Sequence, residues 1–459
     1  MKNTFVISCP LDTYSGYGAR ARDLVKAIVE LDKYDVKILS QRWGSCPFGF
    51  LDDHEEYTHL KEYVVDRVHQ KPDIWMQITV PNEFQPVGKY NIGVTAAIET
   101  TACATPWVEG CNRMDLVLTS ANHGKQVLGH TIYNQVDDNT KQITGQLKVE
   151  KPIEVLFEGV DVKKYCPLPK GSKQFPLSEI KEDFCYLFVG HWMPGEFGED
   201  RKNVSLLIKS FYETFKNKKK TPALILKTSQ AGTSYMDRRE IMSKINALRK
   251  TVKANTLPPI YLLHGELSDE EMNQLYNHHK VKAMVSLTKG EGFGRPLLEF
   301  SFTNKPIITT KWSGHTDFLS EEFTSLINGE VKQIHPSAVV KDMLIPESGW
   351  FAPNLVEIHH YFKDVFENYK EYKVKGKRQG YKSRTEFSFG KMKTKLGELF
   401  EQYIPVIAQQ SQLTLPKLKK VRGNQDLPKL KLPKLKKVDS TPELPKLKLP
   451  KLKKLKTNE

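Results

Sequence analysis

Short runs of β-branched and aromatic residues alternate with amphipathic stretches along most of this chain, and this alternation limits the possible folds more than any other feature. It is typical of βαβ units, in which helices cover both faces of a mostly parallel sheet. The runs form two successive series. In the first series we predict strands at 4–8, 35–40, 73–79, 91–96 and 115–119. In the second series we predict strands at 153–157, 185–189, 223–228, 260–264, 283–287 and 306–310.

Helical patterns separate the predicted strands, for example at 204–216 and 269–279, where apolar residues recur at helical spacing. The sequence therefore predicts an α/β protein with two facing Rossmann-like domains. Open α/β sheets bind ligands beyond the carboxyl ends of their strands, so two such domains would share one cleft. We expect any chemistry to lie in that cleft.

The chain has 459 residues, 39% of them hydrophobic, which is enough for two or three domains. No stretch has the roughly 18 to 20 consecutive apolar residues of a membrane span, and the first residues do not resemble a secretory signal. We therefore expect a cytoplasmic protein without a transmembrane segment. The six cysteines show neither Cys-x-x-Cys spacing nor histidine clustering, which argues against a disulfide framework and against a zinc site.

The formal net charge of +15 is concentrated at the C-terminus. Residues 411–459 hold 15 Lys and Arg against 4 Asp and Glu, so this segment carries +11 and residues 1–410 only +4. The segment repeats Pro-Lys-Leu-Lys five times. Regular prolines and mutually repelling lysines predict a disordered tail at 409–459. The tail is either a solvated extension or a tether to an anionic partner such as nucleic acid or lipid.

The most informative segment is Lys289–Glu299, Lys-Gly-Glu-Gly-Phe-Gly-Arg-Pro-Leu-Leu-Glu, which follows the predicted strand 283–287. Its glycines let the backbone approach a ligand closely, and a helix starting near Arg295 would direct free N–H groups at a phosphate. Glu291 and Glu299 would flank this anion site. Two glutamates eight positions apart are weak evidence by themselves, so the surrounding sequence decides.

This segment resembles the E-x7-E signature of the retaining GT-B glycosyltransferases of family GT4. Further stretches resemble the same family in the same order: Tyr14–Arg20 as a glycine-rich loop, 155–167 as the domain junction, 264–276 and 306–319 around the signature, and 387–404 as a terminal helix. The resemblance implies an N-terminal, acceptor-side domain at 1–150 and a nucleotide-sugar-binding domain at 151–385. It also implies a helix at 386–408 that crosses back to the first domain.

The resemblance also implies the role of individual residues. Glu291 would lie beside the transferred sugar, and Glu299 would bind the donor ribose. The backbone of Gly292, Phe293 and Gly294 would meet the distal phosphate. Lys202 matches the family lysine that neutralises the diphosphate, as a leaving group that gains negative charge requires.

Two departures from the family pattern concern the same cleft. Gly190-His191 stands where many members have Gly-Arg, which leaves Arg201 or His191 to replace the guanidinium. Glu99 stands where many relatives place a histidine near the reacting sugar, and it is our candidate for contacting the sugar or the acceptor hydroxyl. His123 and His315 are weaker candidates, because a lone histidine is more often packed or solvated.

In the glycine-rich loop, the resemblance assigns Gly16 and Gly18 to donor binding. The implied reaction is a front-face displacement that retains configuration, in which the leaving diphosphate helps to deprotonate the acceptor. We expect no metal and no other cofactor, because no Asp-x-Asp ends a strand and a lysine can provide the charge of a divalent ion.

The donor's base and sugar, the oligomeric state and the acceptor are open, and the acceptor could be a glycan, a lipid, a protein or modified DNA. Three other functions remain as alternatives. The chain could be a nucleotide-sugar epimerase or hydrolase, a non-catalytic nucleic-acid or assembly protein held by its cationic tail, or a transferase whose tail tethers it to DNA.

Overall fold

The computed structural model describes residues 2–137, 139–193, 195–230 and 232–407. The strands in these residues are β1 (Asn3–Cys9), β2 (Tyr34–Ser40), β3 (Ile74–Ile78), β4 (Tyr90–Thr95), β5 (Leu116–Thr119), β6 (Tyr133–Val136), β7 (Ile143–Leu147), β8 (Ile153–Val155), β9 (Cys185–Val189), β10 (Ala223–Lys227), β11 (Ile260–Leu263), β12 (Val281–Ser286), β13 (Ile307–Thr310), β14 (Ser325–Ile327), β15 (Gly329–Gln333) and β16 (Gly349–Pro353).

The helices in the same residues are α1 (Gly16–Leu31), α2 (Phe50–Asp53), α3 (Thr105–Asn112), α4 (Asn122–His130), α5 (Val204–Phe215), α6 (Tyr235–Thr251), α7 (Asp269–Asn277), α8 (Arg295–Ser301), α9 (Leu355–Glu367), α10 (Tyr369–Glu386) and α11 (Phe389–Tyr403). They alternate with the strands of two parallel sheets, as the sequence predicted.

The first sheet has six parallel strands in the order β2-β1-β3-β4-β5-β8. Both of its faces are buried. Leu116 and Leu118 of β5 pack on one face with helices α1 and α11, whereas Val117 packs on the other with α3 and α4. Successive side chains of a strand point to opposite faces, which explains why these strands are continuous apolar runs in the sequence.

The second sheet also has six parallel strands, in the order β11-β10-β9-β12-β13-β14. Tyr186 and Phe188 of β9 pack with α5, α6 and α9, and Leu187 packs on the opposite face with α7 and α8. The two sheets with their helices are called the first and second lobes below. Each lobe has the doubly wound architecture that the sequence predicted.

The structure corrects one strand assignment. The run predicted to open the second series forms β8, which pairs in parallel with β5 and so completes the first sheet. Strand β8, Ile153–Val155, thus follows the predicted division at residue 150 in the chain but belongs to the first sheet. The antiparallel pairs β6–β7 and β15–β16, and the edge strand β14, were not predicted. Most of these strands are short or exposed, so their sequences lack a strong apolar run.

The chain passes between the lobes twice at neighbouring points. Val160 donates its N–H to the carbonyl of Phe387 and accepts from the N–H of Phe389, which joins the two crossings. Beyond this point, Met392, Leu396 and Phe400 of α11 lie in the core of the first lobe. Helix α11, Phe389–Tyr403, lies within the range 386–408 and packs against α1 and β1.

The predicted tail at 409–459 lies outside the described residues. No helix in the described ranges is long and apolar enough to cross a membrane. All six cysteines, which the described ranges include, are free thiols.

Candidate active site

The carboxyl ends of the two sheets face each other, and two loops meet between them. The loop after β12 carries Gly290, Glu291 and Gly292, and the loop after β4 carries Ala96 and Glu99. A Cβ atom built on Gly290 would lie 2.6 Å from Cβ of Glu99, and one built on Gly292 would lie 2.8 Å from Cβ of Ala96. Both glycines are therefore required for the lobes to approach this closely.

Glu291 is held in place by the loop that follows β13. Its N–H donates to Oγ of Ser313 at 2.8 Å, and its carbonyl accepts from the N–H of Gly314 at 2.9 Å. Ser313 adopts a left-handed conformation with φ 71°, and Ala97 in the facing loop has φ 57°. Such conformations are strained for residues other than glycine and cluster at functional sites.

Lys202 reaches Glu291 from the turn before α5. Its Nζ lies 2.7 and 2.6 Å from Oε1 and Oε2 of Glu291, and both side chains are largely buried. Burial alone raises the pKa of Glu291, but the cations of Lys202 and Arg201 outweigh it and lower that pKa to about 2. Glu291 is therefore an ionised carboxylate throughout the neutral range.

Arg201 links this pair to the first lobe. One guanidinium nitrogen, NH1, lies 2.8 Å from Oε1 of Glu99 and donates to the carbonyl of Gly290 at 2.8 Å. The same nitrogen is 3.7 Å from Oε2 of Glu291. The structure thus brings Glu99, Arg201, Lys202 and Glu291 together in one cluster that both lobes contribute to. We call these four residues the charged cluster.

Glu299 lies one turn inside α8 and is also buried. Nε of Arg295 donates to its Oε1 at 2.9 Å, and the hydroxyl of Tyr276 donates to its Oε2 at 3.3 Å. Arg295 also binds Asp23 on α1 of the first lobe. Burial raises the pKa of Glu299 to about 7, although Arg295 opposes the increase.

The sequence analysis did not select Asp23, Tyr276 or Arg295. Arg295 had a usable signal, because it precedes Glu299 by four residues on one helix and such pairs interact. Asp23 and Tyr276 had none, since their contacts join distant parts of the chain.

The remaining glycines and Phe293 have mainly structural contacts. Gly18 packs so tightly that an added Cβ would lie 2.4 Å from the carbonyl oxygen of Thr13, whereas Gly16 is exposed and has open space beside it. Gly294 has φ 95° and precedes α8. The Phe293 ring packs on Phe318 in the core of the second lobe, with 5.0 Å between centroids, so only its backbone faces the loop.

Three histidines lie close to the charged cluster. Burial lowers the pKa of His191 and the cation of Lys202 lowers it further, while Nδ1 lies 3.2 Å from Oγ of Ser229. His315 is buried, with Nε2 2.6 Å from the carbonyl oxygen of Thr310. His123 packs edge-on against Trp312, and burial lowers its pKa as well.

No group of three or more histidine, cysteine, aspartate or glutamate side chains in the described ranges could hold a metal ion. Arg201 and Lys202 are the cations of the charged cluster.

Comparison with known proteins gives a result only at the level of structure. No family model matches the sequence, and no curated protein matches it. A glycosyltransferase from Rickettsia africae superposes with a TM-score of 0.57 at 13% identity, covering 88% of this chain and 100% of that one. HepE from Anabaena, in complex with UDP-glucose, gives 0.55 at 13% identity, covering 87% of this chain and 100% of that one.

Sucrose-phosphate synthase from Thermosynechococcus elongatus gives a TM-score of 0.54 at 11% identity, covering 88% of this chain and 99% of that one. Each of these three structures covers 87 or 88% of this chain. At such low identity the likeness shows the architecture: the chain has the GT-B fold, with two facing Rossmann-like domains and a cleft between them.

Proposed function

We propose that this chain is a glycosyltransferase that moves a sugar from a nucleotide diphosphate donor to an acceptor hydroxyl with retention of configuration. The observation that carries the proposal is the charged cluster: two cations and two carboxylates, drawn from both lobes of a GT-B fold, meet where the carboxyl ends of the sheets face each other. Open α/β sheets bind their ligands at this edge.

The cations match the charge that develops in the reaction. The bond between the anomeric carbon and the distal phosphate oxygen breaks, and the acceptor oxygen forms the new bond on the same face. The acceptor proton passes to the leaving phosphate oxygen. Lys202 and Arg201 would stabilise the negative charge that the diphosphate gains, which is usually the largest single contribution to such catalysis.

The carboxylates would orient the sugar. Because a diphosphate would compete with Glu291 for the ammonium of Lys202, donor binding would free carboxylate oxygens of Glu291 for the sugar hydroxyls. Glu99, held by Arg201 from the first lobe, would contact the sugar or the acceptor hydroxyl. Glu299 would accept hydrogen bonds from the ribose. With fixed cations in place, the transfer would need no metal ion and no other cofactor.

The first test is a thermal-shift screen of the purified protein against nucleotide sugars, because a ligand that binds only the folded state raises its melting temperature. UDP-glucose enters first, since it is bound to HepE, which shares the fold. Donors that raise the melting temperature are then incubated with and without candidate acceptors. Transfer to an acceptor with retained anomeric configuration supports the proposal.

Two results would contradict the proposal. If no nucleotide sugar shifts the melting temperature, the cleft does not bind the donor class. If a donor is epimerised or hydrolysed equally with and without acceptors, the chain is an enzyme of another type. Salt-sensitive binding to DNA that requires residues 409–459 would identify modified DNA as the acceptor to test next.

A further inference from the structure

Arg295 contacts carboxylates of both lobes with a single side chain. It is the first residue of α8 in the second lobe, and its Nε donates to Glu299 on the same helix at 2.9 Å. Its NH1 donates to Asp23 on α1 of the first lobe, 272 positions away in sequence. The three residues are called the Asp23–Arg295–Glu299 cluster below.

Within the described part of the chain, Arg295 is the one cation that pairs with either carboxylate at 4.0 Å or less. The nearby Arg20 binds other groups: its guanidinium donates to the main-chain carbonyls of Leu156 and Phe157, at the first crossing between the lobes. All three side chains of the cluster are mostly shielded from water, with exposed fractions of 20% for Arg295, 14% for Asp23 and 10% for Glu299. Loss of one partner would leave a buried charge without compensation.

The shape of the guanidinium matters for this arrangement. Its planar fork presents several N–H donors in fixed directions, so one group can hold Asp23 and Glu299 at the same time. A lysine ammonium at this position would be a single point charge on a flexible stem. When the lobes separate, the bond to Asp23 must break, and the guanidinium loses the contact that fixes its orientation against Glu299.

We propose that Arg295 is a positioning residue that couples approach of the lobes to donor recognition, because it holds Glu299 in place only while it also binds Asp23. The role of Glu299 in binding the donor rests on the function proposed above, whereas the effect on the lobes does not. Binding of a donor that needs an oriented Glu299 would therefore stabilise the arrangement in which Arg295 binds Asp23. By thermodynamic linkage, that arrangement of the lobes would raise the affinity for the donor by the same factor.

The first experiment measures lobe separation without any donor. Two main-chain amides of the first lobe donate hydrogen bonds to the second lobe. The N–H of Thr101 donates to the carbonyl of Gly349 at 2.9 Å, and the N–H of Asn122 donates to the carboxylate of Asp317 at 2.8 Å. Neither bond involves the Asp23–Arg295–Glu299 cluster. Hydrogen exchange of peptides containing these two amides therefore reports on opening. We expect Asp23→Asn and Arg295→Met to exchange several-fold faster at both positions than the wild type.

Asp32→Asn is the matched control, since Asp32 ends the same helix α1 and its exposed carboxylate pairs with Lys2 at 2.6 Å. It should exchange as the wild type does. Glu299→Gln should also keep wild-type exchange at both amides, because Arg295 and Asp23 remain. Unchanged exchange in both Asp23→Asn and Arg295→Met would overturn the proposal.

The second experiment measures kinetics with UDP-glucose, or with whichever donor the thermal-shift screen identifies. We expect Asp23→Asn to raise the donor KM about tenfold or more, because the neutral amide no longer compensates the largely buried charge of Arg295, while kcat changes much less. Asp23→Glu should restore much of the affinity, and Arg295→Lys should not. A variant that loses kcat and leaves the donor KM unchanged contradicts a positioning role.

The two experiments separate this proposal from the proposed function. If no nucleotide sugar binds the wild type, the function fails, but the exchange rates still test whether the cluster joins the lobes. If donors bind and both Asp23→Asn and Arg295→Met exchange as the wild type does, the function stands and the coupling is wrong.

Discussion

Nζ of Lys202 lies within 2.7 Å of both carboxylate oxygens of Glu291, although the two residues are 89 positions apart in the sequence. Both side chains are largely buried, at 14% and 10% exposure. Removing one partner of a buried pair leaves the other charge uncompensated and destabilises a protein by about 3–5 kcal/mol. Variants at this pair must therefore be compared with a double variant to separate stability from catalysis.

Replacing Lys202 tests whether its ammonium stabilises the negative charge of the leaving diphosphate. We expect Lys202→Met to lower kcat about 100- to 1000-fold, because a positioned donor to the developing charge is lost. The double variant Lys202→Met with Glu291→Gln should regain stability in urea unfolding but remain inactive. Lys216→Met, which removes an exposed cation paired with Glu213, is the control and should keep full activity. A double variant with wild-type turnover would exclude Lys202 from the reaction.

Replacing Glu99 tests whether a carboxylate of the first lobe contributes to catalysis. Glu99→Gln keeps an oxygen that can accept from Arg201 but removes the negative charge that compensates the guanidinium, so urea unfolding is measured beside activity. We expect kcat to fall about 10- to 100-fold if the carboxylate contacts the sugar or the acceptor hydroxyl. Steady-state kinetics measure this, with the exposed Glu109→Gln on α3 as the control. Equal rates for the two variants would reduce Glu99 to a structural partner of Arg201.

Glu299 predicts a pH dependence of stability. Burial raises its pKa to about 7 in the folded protein, against about 4.3 in an unfolded chain. The native state therefore binds more protons between these values, and the stability that this group contributes is lost as the pH rises through the window. The free energy of unfolding of the wild type should fall relative to Glu299→Gln by at most about 1.4 kcal/mol per pH unit. Urea unfolding from pH 5 to 8 measures the difference, and a constant difference would be inconsistent with the raised pKa.

Replacing Lys305 is expected to lower the free energy of unfolding through contacts at the C-terminal end of α7. Its Nζ donates to the carbonyl of Tyr276 in the last turn of α7 at 2.6 Å, and to the carbonyls of His278 and Val281 beyond the helix at 2.9 and 2.7 Å. Lys305→Met leaves these acceptors without that donor and should destabilise the protein by about 2–5 kcal/mol. Lys282→Met is the control, because Lys282 is partly exposed and has no ion pair among the described residues. A loss below about 1 kcal/mol would show that water satisfies the carbonyls.

The charge of Arg201 and Lys202 predicts that transfer does not require a metal ion. Excess EDTA should leave kcat and the donor KM unchanged, because in the proposed reaction these cations would face the diphosphate in place of a divalent ion. The measurement uses the donor found by thermal shift, with and without added Mn²⁺. Complete loss of activity in EDTA that Mn²⁺ restores would contradict this.

The sequence by itself determined the two α/β lobes and most of the residues in the candidate site. Strands such as β5 and β9 are buried on both faces, so their continuous apolar runs are visible without a structure. The resemblance of Lys289–Glu299 to the E-x7-E signature drew attention to the loop after β12. These signals are local, because they depend on residues that are neighbours in the chain.

The tertiary structure decided which of those residues meet. It placed β8 in the first sheet, since strand order is set by pairing and not by the sequence of β8 itself. It also paired Arg201 with Glu99, and Arg295 with Asp23. Both ion pairs join the two lobes, and their charges are buried between the lobes. No local spacing encodes such a contact, because its energy depends on how the whole chain removes both charges from water.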